Sequence, residues 1–121
     1  MIGSKNLGKS TNLTDIIGEN KVEKLVDGFQ FTEGPVWKDG YLLFSDIPAD
    51  TIYKYEEDAE PYLKPSGHSN GLTLDKQGRL LLCEHDRRLT RLEKDGSKTI
   101  LAEYYEGKRL NSPNDLVVKT D

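Results

Sequence analysis

Three short motifs recur along this chain at the interval of one structural unit: Glu33-Gly34-Pro35-Val36-Trp37, Asn70-Gly71-Leu72-Thr73-Leu74 and Asn114-Asp115-Leu116-Val117-Val118. Each sets a side-chain oxygen donor just ahead of a turn-type residue and an apolar run. The donors stand 37 and 44 positions apart, which brackets the roughly 40 to 50 residues of a four-stranded propeller blade. Blades stacked radially would aim one polar group from the same place in each unit at a common axis. An oxygen-rich cation site can be built in this way from residues far apart in sequence.

The stretches between the donors read as strands. Tyr41-Leu42-Leu43-Phe44-Ser45-Asp46 and Thr51-Ile52-Tyr53-Lys54-Tyr55 follow the first donor, and Arg79 to Glu84, Arg88 to Leu92 and Lys98 to Ala102 follow the second. These runs are short, rich in β-branched, leucine and aromatic residues, and often alternate in polarity. Lys38-Asp39-Gly40, Asp75-Lys76-Gln77-Gly78 and Lys94-Asp95-Gly96 lie between them as hairpin turns. No segment from Phe29 onward keeps a helical period. The fold class expected is all-β, with antiparallel four-stranded blades. The chain reaches Asp121 one strand into its third unit, so about two and a half blades are expected. Open blade edges are a liability, and residues 22–121 are therefore read as the N-terminal part of a longer propeller, preceded by a flexible or irregular segment over residues 1–21.

Composition narrows the function by exclusion. The 121 residues carry a formal net charge of −4 with 31% charged residues and no basic stripe, which argues against nucleic acid as a partner. No run of eighteen apolar residues and no signal-peptide core occurs, so no membrane is expected as a partner and the cytoplasm is the default location. Cys83 stands alone, which excludes an internal disulfide and reads as a buried, inert thiol amid leucines. Gly3, Gly8, Lys9 and Ser10 satisfy a phosphate-loop pattern, but only Met1 and Ile2 precede Gly3. A phosphate loop needs a strand there, and a tail is the reading taken. Asn12-Leu13-Thr14 matches a glycosylation acceptor without a secretion signal to make it meaningful.

Phe31-Thr32-Glu33-Gly34-Pro35-Val36-Trp37, Leu43-Phe44-Ser45-Asp46-Ile47-Pro48, Ser69 to Asp75 and Asn111-Ser112-Pro113-Asn114-Asp115-Leu116-Val117 occur in that order. Together they resemble the family of gluconolactonase, senescence-marker protein 30 and luciferin-regenerating enzyme. The resemblance implies a six-bladed propeller with a divalent cation, usually calcium, at the floor of a central funnel, hydrolysing sugar lactones or related esters. It implies that Glu33 is a direct metal ligand and that Asn114 ligates the metal or contacts substrate. It places the remaining ligands, and the aspartate expected as general base, beyond Asp121, so no catalytic residue is assigned within this chain.

The donor chemistry agrees with a hard cation, since calcium takes about six to eight oxygen ligands and accepts carboxylate, amide and water together. One cysteine with His68 and His85 does not suggest a zinc site. Asn70 holds the equivalent place in the second unit and is expected to line the funnel as a substrate contact, without a metal role. Arg109 and Asn111, with Lys108, precede the third donor and are candidates for the funnel mouth. Asp115 is expected to turn away from the axis, because successive strand residues alternate faces. His68 and His85, with Glu84, Arg87 and Arg88 beside the latter, form a polar cluster read as structural. Trp37, Phe44, Tyr53 and Tyr55 are assigned to packing.

The function expected is a calcium-dependent sugar-lactone hydrolase, inactive as this isolated piece, with a small-molecule lactone as substrate. One alternative is a non-catalytic propeller remnant or binding module that self-associates through its open edges. Another is a phosphoester or organophosphate hydrolase on the same scaffold, since fold does not fix chemistry.

Overall fold

The computed structural model describes residues 12–18 and 21–121. The phosphate-loop pattern at Gly3 to Ser10 lies outside these residues, as does most of the expected flexible segment. Helix α1, Leu13–Ile17, is a single turn at whose start the Asp15 carboxylate accepts the Asn12 N–H at 2.8 Å. Among the described residues no helix is long and apolar enough to cross a membrane.

Two four-stranded antiparallel meanders follow. The first comprises β1 (Thr32–Lys38), β2 (Tyr41–Asp46), β3 (Thr51–Tyr55) and β4 (Ala59–Leu63); the second comprises β5 (Ser69–Leu74), β6 (Leu80–Glu84), β7 (Arg88–Leu92) and β8 (Lys98–Ala102). In each sheet the strands lie in chain order, as short hairpin connections dictate. The β1–β2 turn has positive φ at both Asp39 and Gly40 (48° and 92°), the geometry whose twist matches the flanking strands. Strands β9 (Tyr104–Tyr105) and β10 (Lys108–Arg109) form a small hairpin beyond β8.

The core is the seam between the two sheets. Leu43 and Ile52 from the first meet Leu72, Leu80 and Leu82 from the second, with Val36, Tyr41, Leu63, Leu74 and Leu92 packed around them. Alternation explains the choice, because Leu43 and Ile52 share one face of their sheet, and Leu80 and Leu82 one face of theirs. Each such side chain, fully buried, stabilises by about 1.5–3 kcal/mol.

The link from the outermost strand β4 back to the innermost strand β5 is pinned by Asp50. Its Oδ1 accepts the Ser66 N–H, the Ser66 hydroxyl and the His68 N–H at 3.0, 3.1 and 2.7 Å. Burial disfavours the charged form of Asp50, but these donors outweigh it and hold its pKa below the ordinary aspartate value. Beneath the same link lies Glu84, 0% exposed. Its Oε1 accepts from Thr90 Oγ1 and Lys98 Nζ, at 2.6 and 2.7 Å, and its Oε2 from Arg88 Nε at 2.5 Å. Lys98 Nζ also donates to the Ser66 carbonyl at 3.0 Å, tying the outer strand to the link.

Trp37, expected to pack, is 66% exposed among the described residues, on the face of β1 opposite Val36 and away from the seam. Phe44 does pack, edge-on to Phe29 with ring centroids 5.0 Å apart and stacked on Tyr53 at 5.8 Å. Among the described residues the segment Asn114 to Val118 pairs with no neighbouring strand. It runs beside β5 and is held there by one backbone hydrogen bond, Gly71 N–H to Asn114 O at 2.8 Å.

Candidate functional site

The first two donor motifs fall at the same kind of irregularity. In the first sheet the register runs Glu33 opposite Ser45 and then shifts before Val36 opposite Leu43. In the second it runs Ser69 opposite Glu84 and shifts before Leu72 opposite Leu82. A bulge re-aims the side chains beside it, but the two donors are offset by one: by register Glu33 matches Ser69, and Asn70, expected to hold the equivalent place, falls one residue later, inside the shift, where the first sheet has Gly34.

The glycine after each donor then receives the next unit. A Cβ on Gly34 would lie 2.1 Å from the carbonyl oxygen of Asn70, and one on Gly71 would lie 2.6 Å from that of Asn114. Only the absence of a side chain permits either approach. Unit by unit, the donor's own carbonyl is seated on the glycine of the preceding unit. Two buried serines reinforce the first joint, where Ser45 Oγ donates to the Asn70 carbonyl at 2.9 Å and pairs with Ser69 Oγ at 2.9 Å.

The outcome is a cleft of about 180 Å³ lined by Glu33, Gly34, Pro35, Asn70, Gly71, Leu72, Asn114 and Asp115. All three sequence-picked donors line it. Arg109 and Asn111 do not; both are exposed, and Arg109 donates from Nη2 to the Asp86 carbonyl at 3.1 Å. That contact and Arg87 Nε to Leu110 O, at 2.7 Å, fasten the segment before the third donor to the β6–β7 turn. Glu33 also borders an apolar hollow of about 290 Å³ with Val26, Phe29 and Phe44, but no amide donor joins it there.

Asp115, expected to turn away as alternation in a paired strand requires, instead lines the cleft, its Oδ1 accepting the Leu116 N–H at 2.8 Å. The cleft thus holds two carboxylates, two amides and no cationic side chain, and among the described residues neither Glu33 nor Asp115 has an ion-pair partner. Two unpaired carboxylates in one cleft suit a cation. Among the described residues no three His, Cys, Asp or Glu side chains gather into a group that could hold a metal ion by themselves.

Behind the cleft, Asn70 is 5% exposed and its Nδ2 lies 3.2 Å from His85 Nε2. The His85 carbonyl accepts the Ser112 hydroxyl at 3.1 Å. His68 lies apart, with Nδ1 3.0 Å from Asp86 Oδ1 on the exposed rim. Cys83 is 1% exposed, and burial, aided by the Asp115 carboxylate, pushes its thiol up to about 11. Sequence reasoning missed Ser45, Ser69 and the link between His85 and Asn70, which join residues from different strands and leave no local spacing to read.

Successive four-stranded antiparallel sheets, joined at a donor-lined cleft by their innermost strands, define a propeller-type protein. Residues 31–121 match the SMP-30/Gluconolactonase/LRE-like region, and the chain belongs to that family. It is 35% identical over 119 aligned positions to the gluconolactonase of Zymomonas mobilis subsp. mobilis, covering 78% of this chain and 32% of that one. Among solved structures, a gluconolactonase from Xanthomonas campestris superposes with a TM-score of 0.74 at 39% identity, over 80% of this chain and 34% of that one. A crystal structure described as a candidate gluconolactonase gives 0.76 at 40% identity, over 82% and 36%. The chain spans about a third of the length of these relatives.

Proposed function

We propose that the protein of which this chain forms the described part is a divalent-cation-dependent sugar-lactone hydrolase, with calcium the cation. The observation that carries the reading is the convergence of Glu33, Asn70 and Asn114 on one acidic cleft in a chain of the gluconolactonase family. The donors fit a hard cation in kind, and they supply fewer than the six to eight oxygens calcium takes. Ligands from outside residues 1–121, and water, complete the shell.

Glu33 holds the cation through its carboxylate, and Asn114 either ligates it or grips a substrate hydroxyl. Asn70 presents its amide to the sugar, while Arg109 and Asn111, which do not line the cleft, would reach substrate only from the loop before Asn114. A cation held there by Glu33 would supply Lewis-acid polarisation of a lactone carbonyl and so favour the addition of water. The ring C–O bond then breaks to give the hydroxy acid. The general base comes from outside this chain, and the isolated 121-residue piece is inactive.

The test is pH-stat hydrolysis of gluconolactone by the protein purified from its source. Calcium-dependent turnover, lost with chelator and reduced about 100-fold or more by Glu33→Gln, is expected. A rate indifferent to both chelator and Glu33→Gln overturns the reading. In a calorimetric titration the 121-residue chain alone is expected to show no tight stoichiometric calcium binding.

A further inference from the structure

We infer that His85 is a positioning residue: its imidazole fixes the amide of Asn70 with the carbonyl oxygen turned to the cleft, making that wall an acceptor for substrate hydroxyls. This rests on the reading of the cleft as a site for a hydroxylated substrate.

An asparagine amide is nearly symmetric in shape, and its two ends have opposite hydrogen-bonding sense. Which end faces a ligand decides whether the wall accepts or donates. Asn70 is 5% exposed, so bulk water does not settle the choice. Its backbone is immobilised by the Ser45 hydroxyl on its carbonyl and by close contact with Gly34, which leaves rotation of the amide as the remaining freedom. The Nδ2 group lies 3.2 Å from His85 Nε2. A neutral imidazole protonated at Nδ1 presents a lone pair at Nε2, which only the amide N–H can satisfy. Oδ1 is then directed away from the ring. The cleft that Asn70 lines is otherwise rich in carboxylates, so a hydroxyl donor finds oxygen acceptors on each wall.

His85 is also well placed to hold this arrangement. Its N–H donates to the His68 carbonyl at 3.0 Å, and its carbonyl accepts from Ser112 in the segment leading to Asn114. These are backbone contacts at His85 and survive a change of side chain. The imidazole's contact with Asn70 does not, which separates positioning from architecture.

Two measurements decide the matter. Long-range ¹H–¹⁵N spectra of the unliganded protein, taken where His85 is neutral, are expected to show the Nδ1–H form; the Nε2–H form overturns the inference, because Nε2 would then face Oδ1. Kinetics of the source protein on gluconolactone come second. His85→Leu is expected to raise KM about tenfold with kcat changed no more than about twofold, as loss of one oriented hydrogen bond implies, and His85→Gln, which restores an acceptor, is expected to bring KM back to within about threefold. An unchanged KM in His85→Leu overturns positioning even with the expected tautomer. Wild-type protein without lactonase activity counts against the proposed function alone, and the tautomer then decides the role of His85.

Discussion

Gly71→Ala tests whether the third donor is seated on the second unit by close backbone approach. The added methyl would lie 2.6 Å from Asn114 O, 2.7 Å from Asp115 Oδ1 and 2.8 Å from Asp115 Cα. Two of the three are fixed to the chain path, so the clash cannot be relieved by swinging a flexible side chain. The segment must lift, and the hydrogen bond from Gly71 N–H to Asn114 O goes with it. Overpacking costs about 1–3 kcal/mol and the hydrogen bond about 0.5–1.5 kcal/mol; because the segment is held by little else, relief by lifting keeps the total near the lower end, about 1–2 kcal/mol. Urea unfolding followed by circular dichroism reads the stability. A thiol reagent reads the displacement, because the buried Cys83, whose thiol feels the Asp115 carboxylate, should gain access as the segment leaves. Gly96→Ala serves as the control, with a strained φ of 85° but nothing within 4 Å of the new methyl, and should leave Cys83 as slow as before. Unchanged stability together with an unchanged thiol rate in Gly71→Ala would refute the seating of Asn114 on Gly71.

Other consequences follow from the buried polar groups. Glu84→Leu removes a buried carboxylate that accepts from Thr90, Lys98 and Arg88 and leaves two partly exposed cations without it; a loss of about 1.5–3 kcal/mol is expected in denaturant titration, and a loss below about 0.5 kcal/mol would mean that the cations simply turn to solvent. Ser45→Ala strips the donor from the Asn70 carbonyl and the partner from Ser69, with an expected cost of about 1–2 kcal/mol by thermal unfolding. The lowered pKa of Asp50 means that its contribution is complete above the unfolded value of 3.8 and lost as pH falls through the still lower folded value. Stability should therefore decline with acid below about pH 4, and Asp50→Asn should flatten that part of the profile; an identical acid slope in the variant would count against this role of Asp50.

The strands, their hairpins and the three donors were legible in residues 22–121 because each depends on local pattern. Alternation of period two, turn residues between apolar runs and a motif repeated at blade spacing all survive in a one-dimensional string. What depended on distant partners was not legible. Alternation turns Asp115 away from the axis, but it holds only in a paired strand; among the described residues this segment has a single backbone bond, to Gly71, and Asp115 lines the cleft. The size of Trp37 predicts packing, yet whether a large side chain is covered depends on which face meets another sheet, and among the described residues its face of β1 meets none.

The amino-acid order alone thus specified sheets, turns and the kinds of oxygen donor, since these follow from propensity and spacing within a few residues. The assembly in space decided that Glu33, Asn70 and Asn114 share one cleft, that Gly34 and Gly71 cradle the carbonyl of the next donor, and that His85 reaches the amide of Asn70. Those relations join groups fifteen or more positions apart, and the bulges, the missing Cβ atoms and the buried seam that bring them together act through distance and direction, which spacing along a chain does not encode.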